Sequence, residues 1–247
     1  MQNMTQSNPS DAPKPLDISE KGAPVGGTPQ LSEKRLFFQL QVYGQCGDPR
    51  LIVEELKKMP IEAVLYLDVN DPQGVGILII TEDPNVFTQQ ARCLFASSVF
   101  SSLRHKPEFT MLGRTYSTGR EPDLEDWLLH KPRRNALNTK WPWAVWYPLR
   151  RKPEFALLSR EEQGKILAEH GTIGRSYGQA GVAADIRLAC HGLDRNDNEF
   201  VLGLVGPELF PLSRLVQEMR KTQQTARYMQ AMGPFFVGRT LWQSPLA

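Results

Sequence analysis

One histidine, His170, stands within SREEQGKILAEHGTIGRSY (159–177) among residues that recur at helical spacing. Ser159 and Glu162 form a capping box, a hydroxyl for an orphan N–H and a carboxylate reaching back, so a helix begins there. Ile166, His170, Ile173 and Tyr177 then share one face, with Leu167 beside it. An imidazole in such a place is either a satisfied core or boundary residue or a metal ligand. Neutral imidazole is the commonest protein ligand for iron, copper and zinc, and a lone His on an apolar face suits the axial position of a haem. In the preceding strand WAVWYPL (143–149), Tyr147 is a packing residue with its hydroxyl at the rim. Beside a redox-active metal it would instead be oxidised and relay a radical. Lys131, Arg133, Arg134, Lys140, Arg150, Arg151 and Lys152 crowd the same region with few acids among them. Such a run is a solvated face, or a site for a ligand with several carboxylates, which arginine forks pair bidentately.

These residues need a scaffold, and the order of elements supplies one. LFFQLQVY (36–43) reads as a strand, and Asp48-Pro49 opens a helix to about Met59. AVLYLDV (63–69) and VGILIIT (75–81), joined by a turn-forming cluster at 70–74, read as a hairpin. Asp83-Pro84 starts a second helix running to about Leu103, and EFTMLGRTY (108–116) closes the unit as a strand. The order is β-α-β-β-α-β, the ferredoxin-like pattern. It recurs as WAVWYPL, the 159–177 helix, VAADIRLAC (182–190), EFVLGLVG (199–206), a helix opened by Pro207, and PFFVGR (234–239). Two such units, each with an open sheet face to cover, predict a two-lobed α+β barrel. The expected domains are a disordered tail at 1–33, a first repeat at 34–118, a basic connector at 119–142 with a short helix and a loop, and a second repeat at 143–247. Pro, Gly, Ser, Asp and Gln dominate the tail, which offers little to bury.

Composition narrows the function classes. A net charge of +2 over 247 residues provides no global field for nucleic acid or an anionic membrane. Cys46, Cys93 and Cys190 are odd in number and widely spaced, which predicts no disulfide framework and a reducing compartment. No apolar run approaches the roughly 20 residues that span a bilayer, and the N-terminus lacks a secretory pattern. The expected location is the cytoplasm.

Several separated motifs then carry a resemblance. WYPLRRK (146–152), EHGTIGRSY (169–177), HGLD (191–194), EMRKTQQTARY (218–228) and GPFFVG (233–238) resemble the chlorite dismutase family. They are most similar to its coproheme decarboxylase branch, the hydrogen-peroxide-dependent haem synthases of bacteria. The strong likeness covers about 143–238, whereas the first repeat is similar mainly in its order of elements. The resemblance implies a dimeric α+β barrel, a homopentamer, and haem b or coproheme in the second repeat, with peroxide as co-substrate. His170 is similar to the proximal iron ligand of the EHG motif. Tyr147 is similar to the tyrosine whose radical abstracts hydrogen from a propionate, and Arg151 to the basic residue of that motif. Arg175, Arg220, Thr225 (in place of a serine) and Tyr116 fall where propionate contacts are implied, with Arg133 or Arg134 as a connector arginine.

The likeness also departs from its pattern. Counting back from HGLD, the distal position falls on Asp185. The chlorite-degrading branch has arginine there and the decarboxylases of Gram-positive bacteria have glutamine, so chlorite dismutation is not expected. A distal carboxylate would serve as the base that moves a proton between peroxide oxygens, with Arg187, two residues along the same strand face, as its partner. A haem peroxidase using Asp185, or a non-catalytic haem-binding barrel, are the alternative readings. Leu149 replaces the family's methionine. His191 and His105 read as surface or capping residues, and His130 lies near the basic connector.

Overall fold

The computed structural model describes residues 16–246. The first repeat comprises β3 (Phe37–Gly44), α1 (Pro49–Lys57), β4 (Glu62–Asp68), β5 (Val75–Thr81), α2 (Asn85–Thr88), α3 (Gln90–Phe95), β6 (Arg104–His105) and β7 (Met111–Arg114), preceded by β1 (Glu20–Val25) and β2 (Thr28–Ser32). A π-helical turn (Asp126–His130) and α4 (Lys131–Ala136) form the connector. The second repeat comprises β8 (Trp143–Arg151), α5 (Glu154–Leu157), α6 (Arg160–Gln179), β9 (Ala184–Ala189), β10 (Phe200–Gly206), α7 (Leu209–Met219), α8 (Gln223–Tyr228), β11 (Met229–Met232) and β12 (Phe236–Gln243).

The large sheet runs β10-β9-β7-β3-β5-β4-β12-β8-β11, and β8 also pairs with β10, so the path closes into a barrel of antiparallel pairs. Within each repeat the strands lie in the order fourth, first, third, second. The fourth strand of one repeat meets the second strand of the other at both seams, β12 on β4 and β7 on β9. The chain thus carries a two-fold internal pattern. β12 and β11 follow one another along the same edge of β8, Phe236 opposite Trp146 and Met232 opposite Leu149, with a cis Gly233–Pro234 bond between them.

Alternation along the strands divides the core into three. Phe38, Leu40, Val42, Val64, Tyr66, Leu78, Ile80, Trp146, Ile186, Leu188 and Phe236 fill the barrel interior, and Leu128 and Leu129 of the connector join them. Outside, Leu65, Ile77 and Ile79 pack with Ile52, Leu56 and Leu94 of the first repeat's helices. Val145, Tyr147 and Leu204 pack with Leu212, Leu215 and Met219 of α7, and with Ile173 and Tyr177 of α6. The interior aromatics sit opposite glycines. Gly203 pairs with Trp146 and Gly76 with Tyr66, and a Cβ at Gly203 would lie 2.5 Å from the indole ring.

Three expectations change. The tail predicted over 1–33 is ordered from 16 onward: β1 and β2 form a hairpin, while residues 1–15 lie outside the described residues. Its anchorage is polar rather than apolar. Ala23 N–H donates to Glu121 O at 2.9 Å, the Gln30 amide donates to Ala23 O at 2.6 Å and accepts from Leu124 N–H at 3.1 Å, and Glu20 pairs with Arg114 at 2.7 Å. The helix predicted from Asp83 to about Leu103 breaks at Gln89 and ends at Phe95. Serines dominate the stretch beyond it, and Ser101 Oγ donates to Ser98 O at 2.7 Å, offering the backbone a turn in place of a helix. The basic loop of the connector is instead α4, with Pro132 in its first turn. Among the described residues all three cysteines are free and no helix is long and apolar enough to cross a membrane.

Gly203→Ala will overpack the barrel interior and destabilise the fold by about 1–3 kcal/mol. Trp146→Phe in the same chain will recover part of that loss in urea unfolding; an unchanged midpoint in Gly203→Ala would rule out this packing.

Candidate functional site

Helix α6 begins as its capping box predicts: Glu162 N–H donates to Ser159 Oγ at 3.3 Å, and Ser159 N–H donates to Glu162 Oε2 at 3.0 Å. Ile166 is buried on its inner face and Leu167 is exposed. One turn beyond Ile166, His170 is half-buried where α6 meets α7 and α8. Its Nδ1 lies 3.2 Å from Thr222 Oγ1, at the entry to α8, and among the described residues Nε2 has no hydrogen-bond partner. Burial, followed by the nearby Arg187 charge, holds the imidazole below its ordinary pKa, against the opposing pull of Asp185 and Glu169. The ring is therefore neutral at pH 7, the form that binds metals.

The outer face of β8, β9 and β10 supplies the other groups. Tyr147 and Arg187 both lie opposite Leu202, so they share one face two strand spacings apart, about 10 Å. Asp185 and Val145 lie opposite Leu204 on the same face. Tyr147 is 1% exposed and stacks on Phe235, ring centroids 4.5 Å apart. Burial and the Asp185 carboxylate push its phenol well above the ordinary tyrosine range, with Arg220 acting the other way, so it keeps its proton. Asp185 pairs with Arg187 at 2.8 Å, and the Arg187 guanidinium lies over the Trp127 ring at 4.9 Å. Tyr116 packs on Phe200; burial raises its phenol as well, and Arg187 and Arg151 oppose that shift. Arg151 is sandwiched between the Phe155 and Phe200 rings, 4.5 Å from each, and pairs with Glu199 at 3.1 Å.

Two hollows lie beside these groups. A cavity of about 20 Å³, room for one water, is lined by Tyr116, Trp127, Lys131, Asp185 and Arg187. An open cleft of about 340 Å³ is lined by Arg220, Thr225, Met229, Gln230, Ala231 and Met232. Thr225 Oγ1 lies 3.4 Å from Thr222 Oγ1, so the cleft is one hydroxyl away from the histidine's own partner.

His170, Tyr147, Asp185, Arg187, Arg151, Arg220 and Thr225 of the second repeat, with Tyr116 from the end of the first, thus come onto one side of the barrel. Arg133 does not join them. Its guanidinium pairs with Glu62 at 2.8 Å and Glu82 at 3.6 Å, both in the first repeat. Arg134 pairs with Asp126 instead. Arg175 is also displaced: five residues beyond His170 it stands about 140° round the helix, exposed and donating to Thr172 Oγ1 at 3.1 Å. His105 bonds Gln41 at 2.8 Å, His191 is exposed with its ring edge-on to Phe200, and His130 is exposed. Thr222 and Phe235 lie inside EMRKTQQTARY and GPFFVG without a role of their own there, and Trp127 reads as ordinary packing of an aromatic in the connector. Lys131, over Trp127 at 4.5 Å, belonged to the basic run and lines the small cavity.

Among the described residues no group of three or more His, Cys, Asp or Glu gathers to hold a bare metal ion. A single neutral imidazole with one nitrogen bonded and the other free fits an iron whose remaining ligands come from a macrocycle. Arg220 and Lys131 have no acidic partner among the described residues, which fits a macrocycle bearing carboxylates.

A family model described as chlorite dismutase matches residues 86–241. A coproheme decarboxylase of Oceanobacillus iheyensis is 32% identical over 112 residues, 44% of this chain and 43% of that protein. A coproheme decarboxylase of Staphylococcus carnosus is 37% identical over 90 residues, 36% of this chain and 34% of that protein. The match therefore spans less than half the length of these relatives. A haem-binding protein from Thermus thermophilus has a similar structure, TM-score 0.67 at 20% identity, covering 85% of this chain and 92% of that one. A chlorite dismutase from Candidatus Nitrospira defluvii in complex with imidazole gives a TM-score of 0.62 at 16% identity, covering 87% and 93%. At these identities the likeness establishes the fold alone.

The His170 ring will titrate below 6.5 by NMR, because the charged form is the one that burial and Arg187 disfavour. Arg187→Leu will move that midpoint upward. A wild-type ring titrating at or above 6.5 would mean that it is not held neutral as described.

Proposed function

Because the chain belongs to the chlorite dismutase family, we propose that it is a haem-binding, peroxide-dependent oxidoreductase that decarboxylates coproheme to haem b. The observation that carries this reading is the placement of the His170 imidazole and the buried Tyr147 phenol on one side of the barrel, both beside the Asp185–Arg187 pair of β9. The relatives named coproheme decarboxylase support the choice of substrate.

Bound at His170, the substrate's own iron supplies the activation of peroxide, so cofactor and substrate are the same molecule. The protein's part is to hold, orient and move protons. Arg220 and Thr225 in the cleft, with Arg151, Arg187 and Tyr116, receive the propionate carboxylates. Tyr147 enters with its O–H intact; oxidation removes an electron and that proton together, and the phenoxyl then takes a hydrogen from a propionate carbon. The propionate loses that hydrogen, a further electron and carbon dioxide, leaving a vinyl group, and peroxide is reduced to water. Asp185, pinned by Arg187, is placed as the carboxylate that carries peroxide's proton. That same half-exposed carboxylate favours, as a second reading, a peroxidase acting on permanently bound haem. A carboxylate at 185 also opposes chlorite as substrate. We place the protein in the cytoplasm as a homo-oligomer, a ring of five.

Titration with coproheme will give a Soret band that His170→Ala abolishes, and peroxide will then remove one and then two carboxyl groups by mass. Tyr147→Phe will keep the Soret band and lose decarboxylation. Turnover of other reductants without mass loss would favour the peroxidase, and no Soret band with coproheme or haem would end both readings. Asp185→Asn will slow reaction with peroxide by roughly a hundredfold or more, the scale of a lost general base, with porphyrin binding intact.

A further inference from the structure

Thr222 is 2% exposed, and its hydroxyl has three neighbours: His170 Nδ1 at 3.2 Å, Met219 O at 2.8 Å and Thr225 Oγ1 at 3.4 Å. A threonine hydroxyl has a single hydrogen to donate. Histidine Nδ1 can donate or accept, whereas the Met219 carbonyl can only accept. The short contact to that carbonyl therefore takes the hydroxyl hydrogen, leaving Thr222 Oγ1 as acceptor toward the ring. Nδ1 must then carry the ring's hydrogen, and Nε2 holds the free lone pair. A second contact fixes the same junction from the adjacent position: Gln223 N–H donates to the Glu169 carboxylate at 3.0 Å. Glu169 and His170 on α6 thus dock on Gln223 and Thr222 at the start of α8, which limits how the imidazole can rotate.

We infer that Thr222 is the positioning residue that selects the Nδ1–H tautomer of His170 and aims Nε2 at the iron. The inference rests on reading His170 as the iron ligand. It also specifies the character of the ligand. A carboxylate partner would draw the Nδ1 proton toward itself and make the ring a stronger, imidazolate-like donor. A hydroxyl already committed to a carbonyl does so only weakly, and His170 remains a neutral imidazole with moderate donor strength.

Thr222→Val removes the acceptor at nearly constant volume, and Thr222→Ser restores it. In the metal-free protein, ring 15N shifts of His170 will report the Nδ1–H tautomer for wild type and Thr222→Ser, and a mixed or inverted tautomer for Thr222→Val. In the haem-loaded ferrous protein, the iron–histidine stretch of Thr222→Val will fall, and haem affinity will drop about 10–100-fold, the usual cost of losing such a partner. Thr222→Ser will recover both. Should Thr222→Val not fold, Thr222→Cys, a weak acceptor, carries the same readouts. Unchanged ring shifts and an unchanged stretch in these variants would overturn the inference and leave Thr222 only as the cap on Met219. If His170→Ala binds haem as wild type does, the ligand reading fails, while the metal-free ring shifts still decide the role of Thr222.

Discussion

A strand has two faces, and in β8 each is assigned. Trp146 points into the barrel and fills the space left by Gly203, while Tyr147, next in sequence, points out among the residues of the candidate site. A slip of one residue would exchange them, placing a phenol in the core and an indole in the site. Closure of the barrel prevents that slip, because β8 is paired along both edges, by β10 on one side and by β12 and β11 on the other. The position of Tyr147 is therefore a consequence of interior packing rather than of anything local to the site. Asp185 and Arg187 are fixed in the same way, since Ile186 between them and Leu188 beyond are interior residues.

The charges on this side of the barrel are of two kinds. Arg187 and Arg151 have carboxylate partners, Asp185 and Glu199, whereas Arg220 and Lys131 have none among the described residues. The more exposed of the two pairs, Arg187 with Asp185, contributes little, roughly 0–1 kcal/mol. Arg187 could therefore exchange Asp185 for another carboxylate at small cost, while Arg220 and Lys131 have no partner to give up. The aromatic rings beneath Arg187 and Arg151 hold the guanidinium planes in place when the partner changes.

The repeat order, the hairpins and the start of α6 were legible because hydrophobic period and capping chemistry are local properties. The face shared by Ile166, His170, Ile173 and Tyr177 was legible for the same reason. The hairpin of β1 and β2 was not: its stability comes from Gln30 and Ala23 bonding to the connector backbone, contacts between segments that composition cannot register. Arg133 read as a site residue because it lies in a basic run where the resemblance implies a connector arginine, but its partners Glu62 and Glu82 are far away in sequence. Arg175 lies off the His170 face by helical geometry alone, information that motif matching does not use. The contact of Thr222 with His170 depends on where α8 starts relative to α6, which no local pattern encodes.

The two seams of the barrel differ in extent. β12 lies along β4 from Gly238 opposite Asp68 to Gln243 opposite Val64, whereas β7 and β9 meet at Arg114 opposite Ala189. Fewer shared hydrogen bonds mean that the wall parts most cheaply along the second line. That line borders β9, the strand that carries Asp185 and Arg187, and lies across the barrel from the longer seam. Loosening there would free the edge of β9 while leaving the pairings of β8 in place, and with them the aromatic interior that keeps Tyr147 in register.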